Sequence, residues 1–218
     1  MKKIIYYLRD YGLFETIKRI FIRILGIIGL IESETYVLRF QLPKASVEQP
    51  YNNKFRIIQL HREHVREFNR MKYFDFIDGN KMINSKHSKI FVAMDDNKII
   101  GYVCCHTNTE HSIYRMGTWK LKSHEAWVGP SYVIRDYRNK KVNRLLWYTV
   151  INEMNKLRID TFYTAINKNN EPSLKSVINI GFSVIGIIKF RKLFGRTINK
   201  EIIDFNKEKE LTTKFNKF

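Results

Sequence analysis

The sequence predicts a mixed α+β domain with one central, mostly antiparallel sheet flanked by helices and preceded by an N-terminal helical extension. Three observations predict this class. From Phe55 onward, short strand-like runs alternate with helical runs. The residues Asp95-Asp96-Asn97 make a tight connection between two strand-like runs, which is typical of a hairpin. Residues 142–156 place apolar side chains at helical spacing.

Composition narrows the class of protein. The chain has 218 residues and 26.2 kDa, and 44% of its residues are hydrophobic, which is enough to fill a core. The two cysteines, Cys104 and Cys105, are adjacent in sequence. This excludes a disulfide scaffold and an all-cysteine metal site, and it fits a reducing compartment. We therefore expect a cytoplasmic protein, with peripheral contact with the inner face of the membrane as an extension of that expectation.

The chain is strongly basic. It contains 39 Lys and Arg against 21 Asp and Glu, a net charge of +18. Residues 135–200 alone hold 14 basic and 4 acidic residues, whereas a compositional bias towards lysine would spread the charge more evenly. Such a field favours anionic partners, namely phosphorylated small molecules, acidic lipids or nucleic acid.

Residues 1–31 predict an amphipathic helix. Arg9, Asp10 and Arg23 interrupt the apolar run, so it is neither a signal peptide nor a membrane-spanning helix. Two interpretations remain open: a helix lying on an anionic membrane, or a helix packed on its own domain or on a partner chain. We expect an extension over 1–53, a main domain over 54–206 and a charged tail over 207–218.

The main elements follow from patterning. We expect strands over 35–42, 55–60, 89–94, 98–105, 161–166, 182–190 and 198–205, with a further strand pair between 114 and 134. Helices are expected from residue 61 through 70, over 142–156 and over 172–180. Residues 73–88 are expected to be irregular, with a turn at Asp78-Gly79-Asn80.

One strand–loop–helix connection is the candidate site. A strand over 127–134 leads into the loop 135–141, and the helix that follows would present unpaired N–H groups to an anion. The loop is basic, although many basic loops are simply solvated. Pro130 follows Gly129 inside the strand and cannot donate to a ladder, so we expect a bulge or splayed edge. The backbone groups of Ser131 and Val133 would then be available to a ligand.

This connection resembles the GNAT family of acyl-CoA-dependent N-acyltransferases, over about Phe55 to Phe205. The family pattern, Arg or Gln followed by two residues, Gly, one residue and Gly or Ala, corresponds to Arg138 through Asn143, with Lys141 and Asn143 in place of the small residues. Asn170 stands eleven residues before Gly181-Phe182, as an asparagine does in the family. A helix N-cap explains Asn170 equally well.

The resemblance implies an acyl-CoA donor, most simply acetyl-CoA, no metal, and direct attack by an amine in a ternary complex. It implies that the donor binds at residues of the strand, the loop and the next helix: Ser131, Val133, Arg138, Asn139, Lys140, Lys141, Val142, Asn143, Asn170 and Ser173. The acceptor is an amine, and the basic surface favours an amino sugar on a nucleotide or lipid carrier. The alternative function is a non-catalytic module that binds an anionic membrane or nucleic acid, of which nucleic acid is less favoured.

The catalytic groups are less clear from the sequence. The usual family tyrosine, which protonates the thiolate, would fall near Val177. Tyr132 is a candidate acid in its place, with Tyr163 and Ser176 nearby. Glu125, at the start of the strand, is the candidate base, and a solvated carboxylate is the competing interpretation.

Overall fold

The computed structural model describes residues 8, 12–14, 16–17, 20–21, 30–43, 54–74, 76–107, 110–113, 117–193 and 196–204. The described residues between 8 and 21 are helical, as expected for the extension. Several predicted parts lie outside the described residues. They are most of the helix predicted over 1–31, residues 44–53 of the extension, the start of the strand pair at Tyr114, the end of the last strand at Phe205, and the tail 207–218.

Most of the elements lie where the sequence predicts them, although their ends differ. The strands are β1 (Leu30–Gln41), β2 (Arg56–Gln59), β3 (Ser88–Asp95), β4 (Lys98–His106), β5 (Glu110–Ile113), β6 (Gly117–Lys120), β7 (Glu125–Val133), β8 (Thr161–Asn167), β9 (Ser183–Leu193) and β10 (Arg196–Asp204). The helices are α1 (Val65–Met71), α2 (Gly79–Ile83), α3 (Val142–Asn155) and α4 (Glu171–Ile178), with 3-10 turns at Arg62–His64 and Arg135–Tyr137.

Eight strands form one sheet in the order β10-β9-β1-β8-β7-β4-β3-β2. Every neighbouring pair within it is antiparallel except β7 and β8, which are parallel. This confirms the predicted mixed fold with a mostly antiparallel sheet. The parallel pair is joined through α3, as a crossover between parallel strands requires.

Strand β1 lies inside this sheet, although it belongs to the predicted extension. It is longer than the predicted strand over 35–42 and pairs antiparallel with β8 on one side, from Thr35 opposite Asn167 to Gln41 opposite Thr161. On its other side it pairs with β9. The extension and the main domain therefore share one sheet, while the domain boundary itself stays a prediction.

The core lies on both faces of the sheet. On one face α3 and α4 pack through residues such as Leu146, Ile151 and Val177. On the other face α1 and α2 cover the β2–β3–β4 half, and Trp119 of β6 covers the β8–β1–β9 half. Cys104 and Cys105, both buried, fall into different clusters because alternate residues of a strand face opposite sides.

Two expectations about connections are wrong. Residues 73–88 are not wholly irregular, because the Asp78 carboxylate accepts a 2.9 Å hydrogen bond from the Asn80 N–H and thereby begins α2. Strands β6 and β7 lie between residues 114 and 134 as expected, but they do not pair with each other: β6 pairs with β5, and β7 pairs with β4 and β8. Within the described ranges, no helix combines the length and apolarity needed to cross a bilayer.

Candidate active site

Strands β7 and β8 pair at one end and separate at the other. Their parallel ladder runs from Glu125 opposite Thr161 to Trp127 opposite Tyr163. Beyond Trp127, β7 continues to Val133 without a recorded ladder partner on β8 in the described part of the chain. A gap therefore opens between the two strands on the side where both lead into helices.

The opening coincides with Gly129-Pro130, as the sequence predicts. The peptide bond between them is cis, and Pro130 has no N–H to give to a neighbouring strand. On the other side of β7, the register with β4 shifts between Val103 and Cys105. The splay expected from the proline is confirmed.

The backbone of Ser131 and Val133 faces the gap. The N–H of Ile134, just after β7, donates to the carbonyl oxygen of Ile100 on β4. Ile134 and Ile100 are therefore a hydrogen-bonded pair of the antiparallel ladder. Bonded pairs alternate along an antiparallel ladder, so Tyr132 also bonds towards β4. Ser131 and Val133 therefore direct their N–H and C=O groups away from β4, towards β8.

Arg138 ties the basic loop to the end of β7. Its Nε donates a 3.1 Å hydrogen bond to the Val133 carbonyl oxygen, and its guanidinium lies 5.9 Å from the centre of the Tyr132 ring. A second tether joins the Tyr137 hydroxyl to the Asp95 carboxylate at 2.6 Å, and this hydrogen bond raises the pKa of Tyr137. The loop is thus held on both strands β3 and β7.

The loop takes the backbone conformation that glycine usually supplies. Asn139 and Lys141 have φ angles of +62° each, in the left-handed region. Lys141 is the N-cap of α3 and stands where the family pattern has its first glycine. Lysine in place of glycine at position 141 therefore changes the side chain, while the backbone still forms a left-handed turn. The Lys140 Nζ lies 4.9 Å from the centre of the Tyr137 ring.

The start of α3 presents backbone donors. Leu145 donates the first helical hydrogen bond, to the Lys141 carbonyl oxygen, so the N–H groups of Val142, Asn143 and Arg144 precede the helical ladder. The helix has 14 residues, and its dipole places partial positive charge at these groups. An anion bound there would meet three N–H groups and the basic loop.

The start of α3 lies beside the second turn of α4. Asn143 Nδ2 donates a 3.0 Å hydrogen bond to Ser176 Oγ. Ser173 lies one turn earlier on the same face of α4, and Asn170 is the exposed N-cap of that helix. The Asn170 side chain makes no capping hydrogen bond among the described residues, so the capping interpretation lacks support.

The two candidate catalytic residues differ in setting. Glu125 is 3% exposed, and its carboxylate accepts hydrogen bonds from the Lys122 N–H at 2.8 Å and from the Tyr163 hydroxyl at 3.0 Å. It is therefore not the solvated carboxylate that was the competing interpretation. Burial and the Glu125 carboxylate raise the pKa of Tyr163. Glu125 fastens β7 to β8 at the closed end of the gap, and its role as a base stays a prediction.

Tyr132 packs on aromatic rings. It is buried, and its ring stacks on Tyr73 with centroids 5.1 Å apart. Val177, where the family tyrosine would fall, is buried at 2% exposure. No proton donor is therefore supplied at position 177, and an acid role for Tyr132 stays a prediction.

A histidine and tryptophan cluster lies beside the closed end of the gap, and sequence reasoning missed it. The rings of His106 and His111 stack with centroids 4.5 Å apart, and His111 stacks on Trp127 at 5.2 Å. The Ser88 hydroxyl and His106 Nδ1 are 2.9 Å apart. Burial lowers the pKa of His106 to about 4, while burial and the neighbouring His106 lower that of His111 to about 3. Both imidazoles are neutral at pH 7.

The described residues contain no group of three histidine, cysteine or acidic side chains that could hold a metal ion. The candidate site consists of a gap between parallel strands, a basic loop and the start of α3, with α4 beside it. A helix start beside a basic loop is an arrangement that can bind an anion.

Comparison with known proteins gives the family. The family model described as the acetyltransferase (GNAT) family matches residues 55–182, which is more than half of the chain. The protein belongs to the GNAT acetyltransferase family, as its sequence motifs predict. A search of curated proteins finds no match.

Solved structures agree on the fold. A Drosophila protein aligns with a TM-score of 0.53 at 13% identity, covering 85% of this chain and 59% of its own. The aminoglycoside N-acetyltransferase AAC(6′)-Iy in complex with CoA aligns with a TM-score of 0.51 at 18% identity, covering 59% of this chain and 91% of its own. A conserved Staphylococcus epidermidis protein of unknown function aligns with a TM-score of 0.53 at 11% identity, covering 88% and 67%.

Proposed function

We propose that the protein transfers an acyl group, most simply acetyl, from acyl-CoA to the primary amine of an amino sugar. The observation that carries the proposal is the gap between β7 and β8, which opens onto the start of α3. A thioester of CoA has a pyrophosphate and a long amide-bearing arm, and these two parts match the two parts of the site. We expect the reaction to take place in the cytoplasm.

The donor's pyrophosphate would bind the N–H groups of Val142, Asn143 and Arg144. Lys140 and Lys141 add positive charge beside them, and both are exposed. Lys141 brings a side chain to a position where the family has none, and its ammonium group compensates by pairing with a phosphate oxygen.

The arm of the donor would lie along β7. The N–H and C=O groups of Ser131 and the N–H of Val133, which face the gap, would bond to the amides of the pantetheine as a neighbouring strand would, while the Val133 carbonyl oxygen accepts from Arg138. Asn170 and Ser173 at the start of α4 would contact the opposite side of the donor. The thioester would then sit deeper in the gap, towards the point where the strands meet at Trp127.

The reaction is a direct attack. The neutral amine nitrogen forms a bond to the thioester carbonyl carbon, the carbon–sulfur bond breaks, and the CoA thiolate leaves and takes up a proton. The amine must lose a proton, for which Glu125 is the candidate base, acting through the Tyr163 hydroxyl that it holds. Tyr132 or water supplies the proton to the thiolate, since Val177 cannot.

An amino sugar acceptor is supported by two observations. The chain carries a net charge of +18, which favours an acceptor that bears phosphate, such as a sugar on a nucleotide or lipid carrier. A protein of the same fold acts on aminoglycosides, which are amino sugars. Either observation alone would leave the acceptor open.

A thiol-release assay tests this proposal. Purified protein is mixed with acetyl-CoA and either a nucleotide-linked amino sugar or the same sugar already N-acetylated. We expect CoA release with the free amine and none above background with its acetylated form. Equal release from both acceptors would contradict amine transfer.

A second candidate is a non-catalytic module that binds an anionic partner. It is favoured by Val177 at the position of the family's acid and by the buried hydrogen bonds of Glu125. This candidate predicts no CoA release across a panel of amines, so the same assay separates it from the enzyme.

A further inference from the structure

The N-terminal helical segment presents apolar side chains to solvent on one side. Four large apolar residues are 56–80% exposed: Leu13, Phe14, Ile17 and Phe21. With 3.6 residues per turn, these four lie within an arc of about 100° around the helix axis. We call them the apolar arc.

The other side of this segment is covered. Thr16 is 1% exposed, and its hydroxyl donates a 2.7 Å hydrogen bond to the Gly12 carbonyl oxygen. Gly12 and Ile20, one turn to either side of Thr16, are half-buried. The helix therefore already packs through one side, and the apolar arc is a second, separate surface.

The sequence around the arc is basic. Residues 1–29 contain six Lys and Arg against two acidic residues, Asp10 and Glu15. The whole chain, including this segment, carries a net charge of +18. A basic segment that exposes apolar side chains is complementary to a surface with anionic headgroups above an apolar layer.

We propose that the apolar arc docks the protein on an anionic lipid surface. The four side chains enter the boundary between headgroups and acyl chains, while the basic residues of the segment pair with the headgroups. The helix lies on the membrane and does not cross it. The helix thereby holds the GNAT domain at the lipid surface. This docking does not depend on which acceptor the reaction uses.

Removing the whole extension, residues 1–53, is not a clean test of this proposal, because β1 lies between β8 and β9 and would be lost from the sheet. Point variants are needed. Ile17→Glu places a charge in the apolar arc. Leu157→Glu is the matched control, because Ile17 and Leu157 are both 56% exposed. Phe14→Glu combined with Phe21→Glu is a stronger variant of the same kind.

The experiment is flotation of the full chain with vesicles of equal parts phosphatidylglycerol and phosphatidylcholine, or of phosphatidylcholine alone. We expect wild type and Leu157→Glu to float with the anionic vesicles, and Ile17→Glu to bind about tenfold more weakly or worse. Thermal unfolding checks that each variant is folded.

Three outcomes would overturn the proposal: no flotation of the wild type, equal flotation on neutral vesicles, or equal binding by Ile17→Glu and Leu157→Glu. A fourth is a dimer in solution, measured by light scattering, that Ile17→Glu dissociates without any change in lipid binding. In that case a second copy of the chain covers the arc.

Discussion

The Nε of Arg138 donates a hydrogen bond of 3.1 Å to the carbonyl oxygen of Val133. This bond joins the basic loop to the last residue of β7, the strand that separates from β8. The guanidinium consequently has two functions: it fixes the loop, and it adds positive charge beside the start of α3. Donor binding should therefore depend on it more than on an ordinary surface charge.

Replacing Arg138 with Met tests this dependence. The substitution removes a charged donor, which contributes about 1.5–3 kcal/mol in such hydrogen bonds, so we expect the Kd for CoA to rise about tenfold or more. The measurement is calorimetric titration of CoA. Lys86→Met is the control, because Lys86 is exposed and precedes β3 at the end away from the loop. Equal losses in the two variants would show that only net charge matters.

The left-handed backbone at Lys141 predicts a stabilising substitution. A side chain at φ +62° costs about 1 kcal/mol relative to glycine, so Lys141→Gly should raise the free energy of unfolding by about that amount. Chemical denaturation measures it. The neighbouring Lys140 does not have a positive φ, and Lys140→Gly should leave stability unchanged or lower it. A loss of stability in both variants would contradict the assigned loop conformation.

The Glu125–Tyr163 hydrogen bond should appear as a coupling free energy. In a double-mutant cycle of Glu125→Gln and Tyr163→Phe, we expect about 1–2 kcal/mol of coupling in the free energy of unfolding, because both groups are buried and the acceptor is a carboxylate. Tyr148→Phe serves as the control. Tyr148 is also buried, but its hydroxyl accepts from Arg144, so its coupling to Glu125→Gln should be near zero. Similar coupling in the two cycles would refute the bond.

The buried imidazoles predict a loss of stability in acid. Burial lowers the pKa of His106 to about 4 and that of His111 to about 3, so the unfolded chain binds their protons first as pH falls. The contribution of the two neutral imidazoles to the free energy of unfolding is complete above about pH 6.5. It is lost as the pH falls from 6.5 to the lowered pKa values, by up to about 1.4 kcal/mol per pH unit for each histidine.

Unfolding curves across this pH range check the prediction. His111→Phe keeps a ring against Trp127 but removes one titrating group, so the dependence on pH should become shallower. His87→Asn is the control, because it removes an imidazole from an exposed position. If His111→Phe and wild type have the same slope between pH 4 and 6.5, the imidazole of His111 is not shielded from protons.

The sequence predicted those features that local chemistry determines. Pro130 lacks an N–H, and this alone predicts that β7 leaves its neighbour. Helical spacing predicted α3 and hence the donors at its start. The left-handed turn at Lys141 was hidden, because a lysine gives no sign of a positive φ, whereas glycine would have.

Features that depend on distant parts of the chain could not be predicted. The alternation of β1 indicates a strand, but nothing local indicates that it enters the sheet between β8 and β9, more than a hundred residues later. The stacking of His106 on His111 and of His111 on Trp127 arises only when the β5–β6 hairpin folds onto the sheet, and the burial that lowers the pKa of both histidines follows from the same packing.

The most direct test of the central claim is calorimetric titration of acetyl-CoA into the full chain. The account predicts saturable binding of one donor per chain in the micromolar range, weakened about tenfold or more by Arg138→Met and little by Lys86→Met. The absence of binding at about 1 mM acetyl-CoA by folded protein would contradict a donor site between β7 and β8.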